Sequence, residues 1–151
     1  MSRTLVRAII IKDNKLLVIN RNKFGKEYST LPGGLVGINE NPEQAVVREI
    51  SEEAMIEIAN PRLVFIDHAD FYGDQLVYLC EYVSGEPKTS NESSQVEWVD
   101  RNGALSRVKR DAIRNRLRNM LEFTGEIKYL AYLVDPNRID LNYQEVENRN
   151  I

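Results

Sequence analysis

Cysteine is nearly absent from this chain. Cys80 is the only one among 151 residues, so neither an internal disulfide nor a thiolate zinc cluster is available, and the count suits a reducing compartment. Histidine is equally scarce: His68 stands alone, in an apolar strand-like context, and reads as a core or surface residue rather than a catalyst. Long apolar runs are missing too. The run AIII near the N-terminus is cut off by Lys12 and Asp13, which leaves it too short for a signal-peptide core and far from the roughly 20 apolar residues of a membrane span. The expectation is a cytoplasmic protein with no membrane partner. Positive charge is not in excess either, with 20 Lys and Arg against 23 Asp and Glu for a net charge of −3. That balance does not suggest a chain that coats nucleic acid or anionic lipid. An anionic ligand would need local cations or a metal.

What is present is enough for one domain, because 151 residues at 42% hydrophobic content can bury one sizeable core. RTLVRAIII and KLLVIN read as two strands joined at Asp13-Asn14, a hairpin. Residues 21–30 are polar and mixed and read as a loop leading to the turn Leu31-Pro32-Gly33-Gly34. A helix is expected from Pro42 to about Met55, with Asn41 as N-cap, Pro at the first helical position and Gln44 as capping-box partner. IEIANPRLVFIDHADFY and QLVYLCEYV read as strands, the first interrupted at Asn60-Pro61 and the two separated by a turn at Gly73-Asp74. Residues 84–94 read as an exposed loop and VEWV as a short strand. Apolar residues recurring every three to four positions predict a second helix over 105–123, with Gly125 as its stop. EIKYLAYLV then reads as a strand, followed by a polar tail.

The first helix carries the chemistry. On a wheel of about 100° per residue, Glu49, Glu52 and Glu53 fall within one arc, while Val47, Ile50 and Ala54 form the apolar stripe on another side. Like charges at i,i+3 and i,i+4 each destabilise a helix by a few tenths of a kcal/mol, so a cation should offset them. Arg48 neutralises one carboxylate at a time and leaves net negative charge. Hard divalent cations take oxygen ligands, and magnesium in particular takes one or two carboxylates plus waters and substrate phosphates. The plain alternative is a solvated acidic face. Gly33-Gly34, behind Pro32, allow close backbone approach, with a carbonyl available to a metal and amides to a phosphate.

Gly34, five residues, Glu40, seven residues, then Arg48-Glu49-Ile50-Ser51-Glu52-Glu53-Ala54-Met55-Ile56 resembles the Nudix box, the signature of the Nudix hydrolases. One position departs from it: Met55 stands where the pattern asks for glycine. Glycine there supplies a left-handed C-cap, and methionine in that conformation would cost about 1 kcal/mol unless the helix ends differently. The resemblance is sharp over residues 34–56, looser over about 3–122, and does not extend past Gly125. It implies an α/β fold, an α/β/α sandwich with a mixed central β-sheet. The corresponding domain is 1–125, with 126–151 an extension packed on the same domain or on a partner subunit.

The resemblance also implies an activity: metal-dependent hydrolysis of a phosphoanhydride in a nucleoside diphosphate linked to another moiety, with water attacking phosphorus. Candidate substrates are a nucleoside triphosphate, an oxidised nucleotide, ADP-ribose or a sugar nucleotide. Glu49, Glu52 and Glu53 would hold Mg2+, or Mn2+ as substitute, with the Gly33 carbonyl as a further ligand. Arg48 would orient the carboxylates, Gly34 shape the turn, and Glu40 be structural or a distant ligand. The general base is left among Glu49, Glu53 and the loop residue Glu92, which stands five residues before Glu97-Trp98 as in several relatives; Glu92 reads equally as an exposed loop glutamate.

Other residues have plainer readings. Cys80 reads as a small buried apolar group. Phe24, Tyr28, Phe71 and Tyr72 are candidates for stacking on a base and for ordinary packing. Arg7, Arg21 and Lys23 are candidates for phosphate contact without a distinguishing pattern. Arg107, Lys109, Arg110, Arg114, Arg116 and Arg118 read as a solvated basic face, so a small nucleotide rather than a nucleic acid is the expected partner. The C-terminal extension is a candidate homodimer element. The competing functions are a catalytically silent nucleotide sensor of the same fold and an RNA-end pyrophosphohydrolase.

Overall fold

A computed structural model of the chain describes residues 4–23, 26–69, 73–88, 94–108, 111–122, 126–134 and 143–150. Strand β1 (Thr4–Lys12) turns through Asp13 and Asn14 into β2 (Lys15–Lys23). Both turn residues have positive φ, 51° and 62°. This backbone matches the twist of a two-residue hairpin, and Asp and Asn tolerate it. The stretch 21–30, expected to be a loop, instead contains the end of β2 and strand β3 (Lys26–Thr30), paired antiparallel from Ile19↔Thr30 to Lys23↔Lys26. Ladder hydrogen bonds do not depend on side-chain polarity and an edge strand carries charge readily, so apolar alternation misses it.

The three-residue β4 (Gly33–Leu35) lies antiparallel to the start of β1 and leads to helix α1 (Pro42–Ala54). Strand β5 (Glu57–Ala69) runs through Asn60-Pro61 without ending. Asn60 has φ 50° and the register with β6 (Gly73–Ser84) shifts between Ala59 and Arg62. The breaker pair therefore makes a bulge where an interruption was expected. Gly73 and Asp74, expected as a turn, are paired with Ala69 and His68 at the start of β6.

VEWV lies inside β7 (Ser94–Asp100). The single helix expected over 105–123 is two, α2 (Arg101–Arg107) and α3 (Asp111–Leu121). Val108 leaves the helical region with φ −86° and ψ 107°, is buried, and its carbonyl accepts from Arg114 Nε at 2.9 Å. Leu105, Val108, Leu117 and Met120 all pack on one core, so the periodicity continues across the break and conceals it. Gly125, the expected stop, lies outside the described residues. Strand β8 (Lys128–Val134) forms as expected, and the polar tail contributes a further strand, β9 (Tyr143–Asn150).

The sheet runs β3-β2-β1-β6-β5-β8-β9, with β4 on β1 and β7 on β2. It is mixed: β1 with β6 and β5 with β8 are parallel, the other pairs antiparallel. Alternation along β1 divides its side chains between two cores. Val6, Ala8 and Ile10 join α1 residues Ala45, Val46, Ile50 and Ala54, whereas Ile9 joins Ala104 of α2 and Leu117 and Met120 of α3. The helices therefore cover opposite faces of the sheet, an α/β/α sandwich. On α1 the buried set is Ala45, Val46, Ile50 and Ala54, with Val47 only half-buried. The expected stripe is thus shifted onto Val46, and Ala45 is buried on the carboxylate side because α1 also packs on β4.

Candidate active site

The local sequence dictates how α1 starts and stops. Asn41 accepts from the Gln44 N–H at 2.8 Å and the Gln44 side chain accepts from the Asn41 N–H at 2.9 Å, a reciprocal capping box with Pro42 at the first position. At the other end Met55 takes φ 60° and ψ 30°, and its N–H donates to the Ser51 carbonyl at 3.2 Å. The left-handed cap is therefore built, with methionine in the place where glycine would carry no Cβ penalty.

Arg48 is the hub of the acidic face. Its Nε and Nη2 donate to the two Glu40 carboxylate oxygens at 3.0 and 2.6 Å. Nη2 also donates to the Leu35 carbonyl at 3.1 Å, and Nη1 donates to Glu49 Oε1 at 3.0 Å and Glu52 Oε2 at 3.1 Å. A planar guanidinium suits this because its donors have fixed directions and it engages Glu40 through two of them. Glu40 in turn accepts from the Gly37 N–H at 2.6 Å, tying the loop before α1 to the helix. The Arg48 donors, followed by the Gly37 N–H, hold the Glu40 carboxyl down to about 2. Glu40, with the Asn41 cap beside it, thus fixes the guanidinium, and the guanidinium fixes the glutamates.

Glu49 and Glu52 differ in setting. The Glu49 side chain is 18% exposed and that of Glu52 62%. Glu49 is enclosed by β4: a Cβ placed on Gly34 would lie 2.6 Å from Glu49 Oε1, so only glycine lets the carboxylate lie against this backbone. Gly33 is equally constrained, since a Cβ there would stand 2.9 Å from the Arg7 Cα. Glu53 is half-buried on α1. The structure thus brings Glu40, Arg48, Glu49 and Glu52 into one bonded set beside Gly33 and Gly34. Glu92 lies outside the described residues. Glu97 of β7 accepts from Asn20 Nδ2 at 2.5 Å and pairs with Arg107.

A hard dication fits this donor set of carboxylates and backbone carbonyl in chemistry. Among the described residues no three His, Cys, Asp or Glu side chains already converge as a metal cage. One or two carboxylates with phosphate oxygens completing the shell is the mode magnesium prefers, and the Gly34 cradle around Glu49 is the feature built for close approach.

A second feature was not foreseen from sequence. On the opposite face of the sheet lies a cavity of about 180 Å³, with Leu31, Leu117 and Met120 as apolar lining and Arg7, Ser29, Gln75 and Arg116 among its polar lining. Arg7 is the register partner of Gly33; its Nε donates to Gln75 Oε1 at 3.1 Å and Nη1 to the Leu31 carbonyl at 3.2 Å. Arg116 Nε donates to Asp67 Oδ2 at 2.7 Å. One signal was available: Asp67 shares the alternation of Phe65 and Ala69, both buried, so strand periodicity places a carboxylate on the core face.

The remaining expectations fall as follows. His68 Nδ1 lies 2.6 Å from Asp74 Oδ1, on a partly exposed ring, a surface pair. Cys80 is buried and its thiol is pushed up to about 12 by that burial. The expected solvated basic face is corrected in part: Arg107, Arg114 and Arg116 make internal contacts to Glu97, the Val108 carbonyl and Asp67, because the helix break turns them toward the body. Phe24, Phe71, Tyr72, Lys109 and Arg110, and the side chains of Tyr28, Arg21 and Lys23, lie outside the described residues. No helix among the described residues is long and apolar enough to cross a membrane.

Comparison with known proteins places this arrangement. The model of the NUDIX domain matches residues 1–123. An ADP-ribose pyrophosphatase of Methanocaldococcus jannaschii is 36% identical over 103 residues, 64% of this chain and 61% of that one. A MutT-like protein of Streptomyces ambofaciens is 32% identical over 99 residues, 65% of this chain and 63% of the other. The chain thus spans less than two thirds of the length of these two relatives. The mutator MutT protein of Bacillus halodurans superposes with a TM-score of 0.72 at 16% identity, covering 98% of this chain and 97% of the other, a likeness of fold.

Proposed function

From the premise that this chain belongs to the NUDIX domain family, we propose that it is a metal-dependent pyrophosphohydrolase cutting a phosphoanhydride in a nucleoside diphosphate linked to another moiety. The observation that carries this reading is the Arg48 hub, which gathers Glu40, Glu49 and Glu52 beside a glycine turn that no side chain could occupy. A solvated acidic face needs neither the bidentate Arg48–Glu40 clamp nor the Gly34 cradle.

In this reading Glu49, Glu52 and Glu53, with the Gly33 carbonyl, hold Mg2+ or Mn2+. When bound, the dication withdraws charge from the diphosphate oxygens and lowers the barrier to attack by water. Arg48 sets the direction of the Glu49 and Glu52 carboxylates, and Glu40 sets Arg48. Glu49 or Glu53 takes the proton of the attacking water, with Glu92 as the third candidate base. Residues 126–151, whose strand β8 pairs with β5, belong to the same domain as 1–125. The relative named as an ADP-ribose pyrophosphatase supports dinucleotide-like substrates, and the internal partners of Arg107, Arg114 and Arg116 weigh against an RNA-end substrate.

Phosphate or monophosphate release from a panel of nucleoside triphosphates, oxidised nucleotides, ADP-ribose and sugar nucleotides, with and without Mg2+, tests the assignment. Turnover that depends on the metal is expected for at least one class. Binding without turnover across the panel would leave a sensor instead.

A further inference from the structure

The Asp67–Arg116 pair calls for a reason that stability does not supply. Asp67 is 1% exposed and the Arg116 side chain 23%. Taking a carboxylate out of water is expensive, and an apolar pair of similar volume commonly serves a fold as well or better. The pair does, however, fix where Arg116 sits in the wall of the cavity beside β4. The wall holds a second oriented group. Ser29, also nearly buried, donates its hydroxyl proton to Asn20 Oδ1 at 2.5 Å, and the Asn20 amide is itself committed to Glu97 at 2.5 Å. With its proton engaged, the Ser29 oxygen faces the cavity as an acceptor.

We propose that this cavity takes the nucleobase of the substrate, and that Asp67 is a positioning residue holding Arg116 to read the acceptor edge of that base while Ser29 accepts from its amino or ring N–H. The proposal rests on the pyrophosphohydrolase reading and adds the moiety and the residues that select it. Size supports it, because about 180 Å³ is below the roughly 300–1,000 Å³ that encloses a whole drug-sized ligand. One moiety enters. Chemistry narrows which one. A phosphate offers only acceptors and would leave Ser29 mismatched; moreover, the Asp67 charge offsets that of Arg116, so the pair provides direction more than net attraction for an anion. A base edge carries donors and acceptors together, and its flat apolar face suits Leu31, Leu117 and Met120. Arginine is the side chain that pairs with base acceptors through a fixed fork.

The test measures binding without turnover. The four ribonucleoside monophosphates, ribose 5-phosphate and pyrophosphate are titrated into the full chain by calorimetry, while the Arg116 Nε resonance is followed by NMR. At least one monophosphate is expected to bind more tightly than ribose 5-phosphate and to shift that resonance. Asp67→Asn, which keeps the shape, should weaken it about tenfold or more, the worth of a hydrogen bond from a charged donor, while leaving pyrophosphate binding unchanged. Arg116→Lys and Ser29→Ala should do the same and stand in if Asp67→Asn does not fold. In turnover, KM should rise with kcat held. Monophosphates that do not bind, that bind no better than ribose 5-phosphate, or that bind alike to wild type and variants would overturn the proposal. Absence of metal-dependent hydrolysis would overturn the enzymatic reading instead.

Discussion

The Glu49 carboxylate lies against the backbone of Gly34, so close that a Cβ on that glycine would stand 2.6 Å from Glu49 Oε1. The two are fifteen residues apart in sequence and belong to different elements, yet neither position tolerates independent change. Gly34→Ala must push the carboxylate or the β4 backbone aside. A misplacement on the order of 1 Å near reacting atoms costs about a hundredfold in rate. We expect a loss of that size in kcat/KM for Gly34→Ala while circular dichroism and Tm remain near wild type. Wild-type turnover in this variant would show that Glu49 need not sit there.

The glutamates themselves separate metal holding from folding. Glu52 is mostly exposed and its bond to Arg48 is one of several that arginine makes, so Glu52→Gln removes a charge without opening a core. Glu53→Gln likewise keeps size. Each is expected to lower metal-dependent turnover by about a hundredfold or more with little change in melting temperature. Manganese affinity, followed by electron paramagnetic resonance, should weaken in parallel. Full activity in both variants would defeat the assignment of these carboxylates.

How much of this was legible beforehand differs by element. The start of α1 was written locally: Asn41, Pro42 and Gln44 each act within one turn, so their spacing alone specifies the capping box that forms. The carboxylate arc was legible for the same reason. The enclosure of Glu49 by β4 was not, because it depends on a register between β1 and β4 that places Gly33 opposite Arg7. Residues 21–30 and the C-terminal tail concealed strands since edge pairing needs no apolar alternation. The break at Val108 was hidden by a core that continues on both sides of it. Asp67 and Arg116 are forty-nine residues apart, and only the packing of α3 on the sheet joins them.

Met55 offers a test of stability apart from chemistry. Its left-handed conformation, φ 60° and ψ 30°, costs a residue with a Cβ about 1 kcal/mol relative to glycine. Its side chain is mostly exposed, so little packing is lost on truncation. Met55→Gly is expected to raise Tm by about 2–4 °C, the shift that about 1 kcal/mol produces in a domain of this size. The kcat/KM should not change, because the cap lies after the last glutamate. An unchanged or lowered Tm would mean that methionine makes compensating contacts at the helix exit.

Glu40 ties the loop to the hub, and its protonation should be visible in stability. Its carboxyl is held at about 2 in place of the ordinary 4.5, first by the Arg48 donors and then by the Gly37 N–H. A group with a depressed folded-state value stabilises the fold fully above its unfolded value and loses that contribution as pH falls through the window between the two. The contribution of Glu40 is therefore present above about pH 4.5 and fades toward about pH 2. The Tm difference between wild type and Glu40→Gln should be constant near neutrality and shrink across that window, as protonation makes the wild-type side chain equally neutral. Activity is affected differently, since Arg48 released from Glu40 no longer holds Glu49 and Glu52 in one direction. Glu40→Gln should thus lower kcat at neutral pH while Mn2+ still binds, and a Tm difference that stays constant down to about pH 2 would show that the Arg48–Glu40 clamp contributes nothing to the fold.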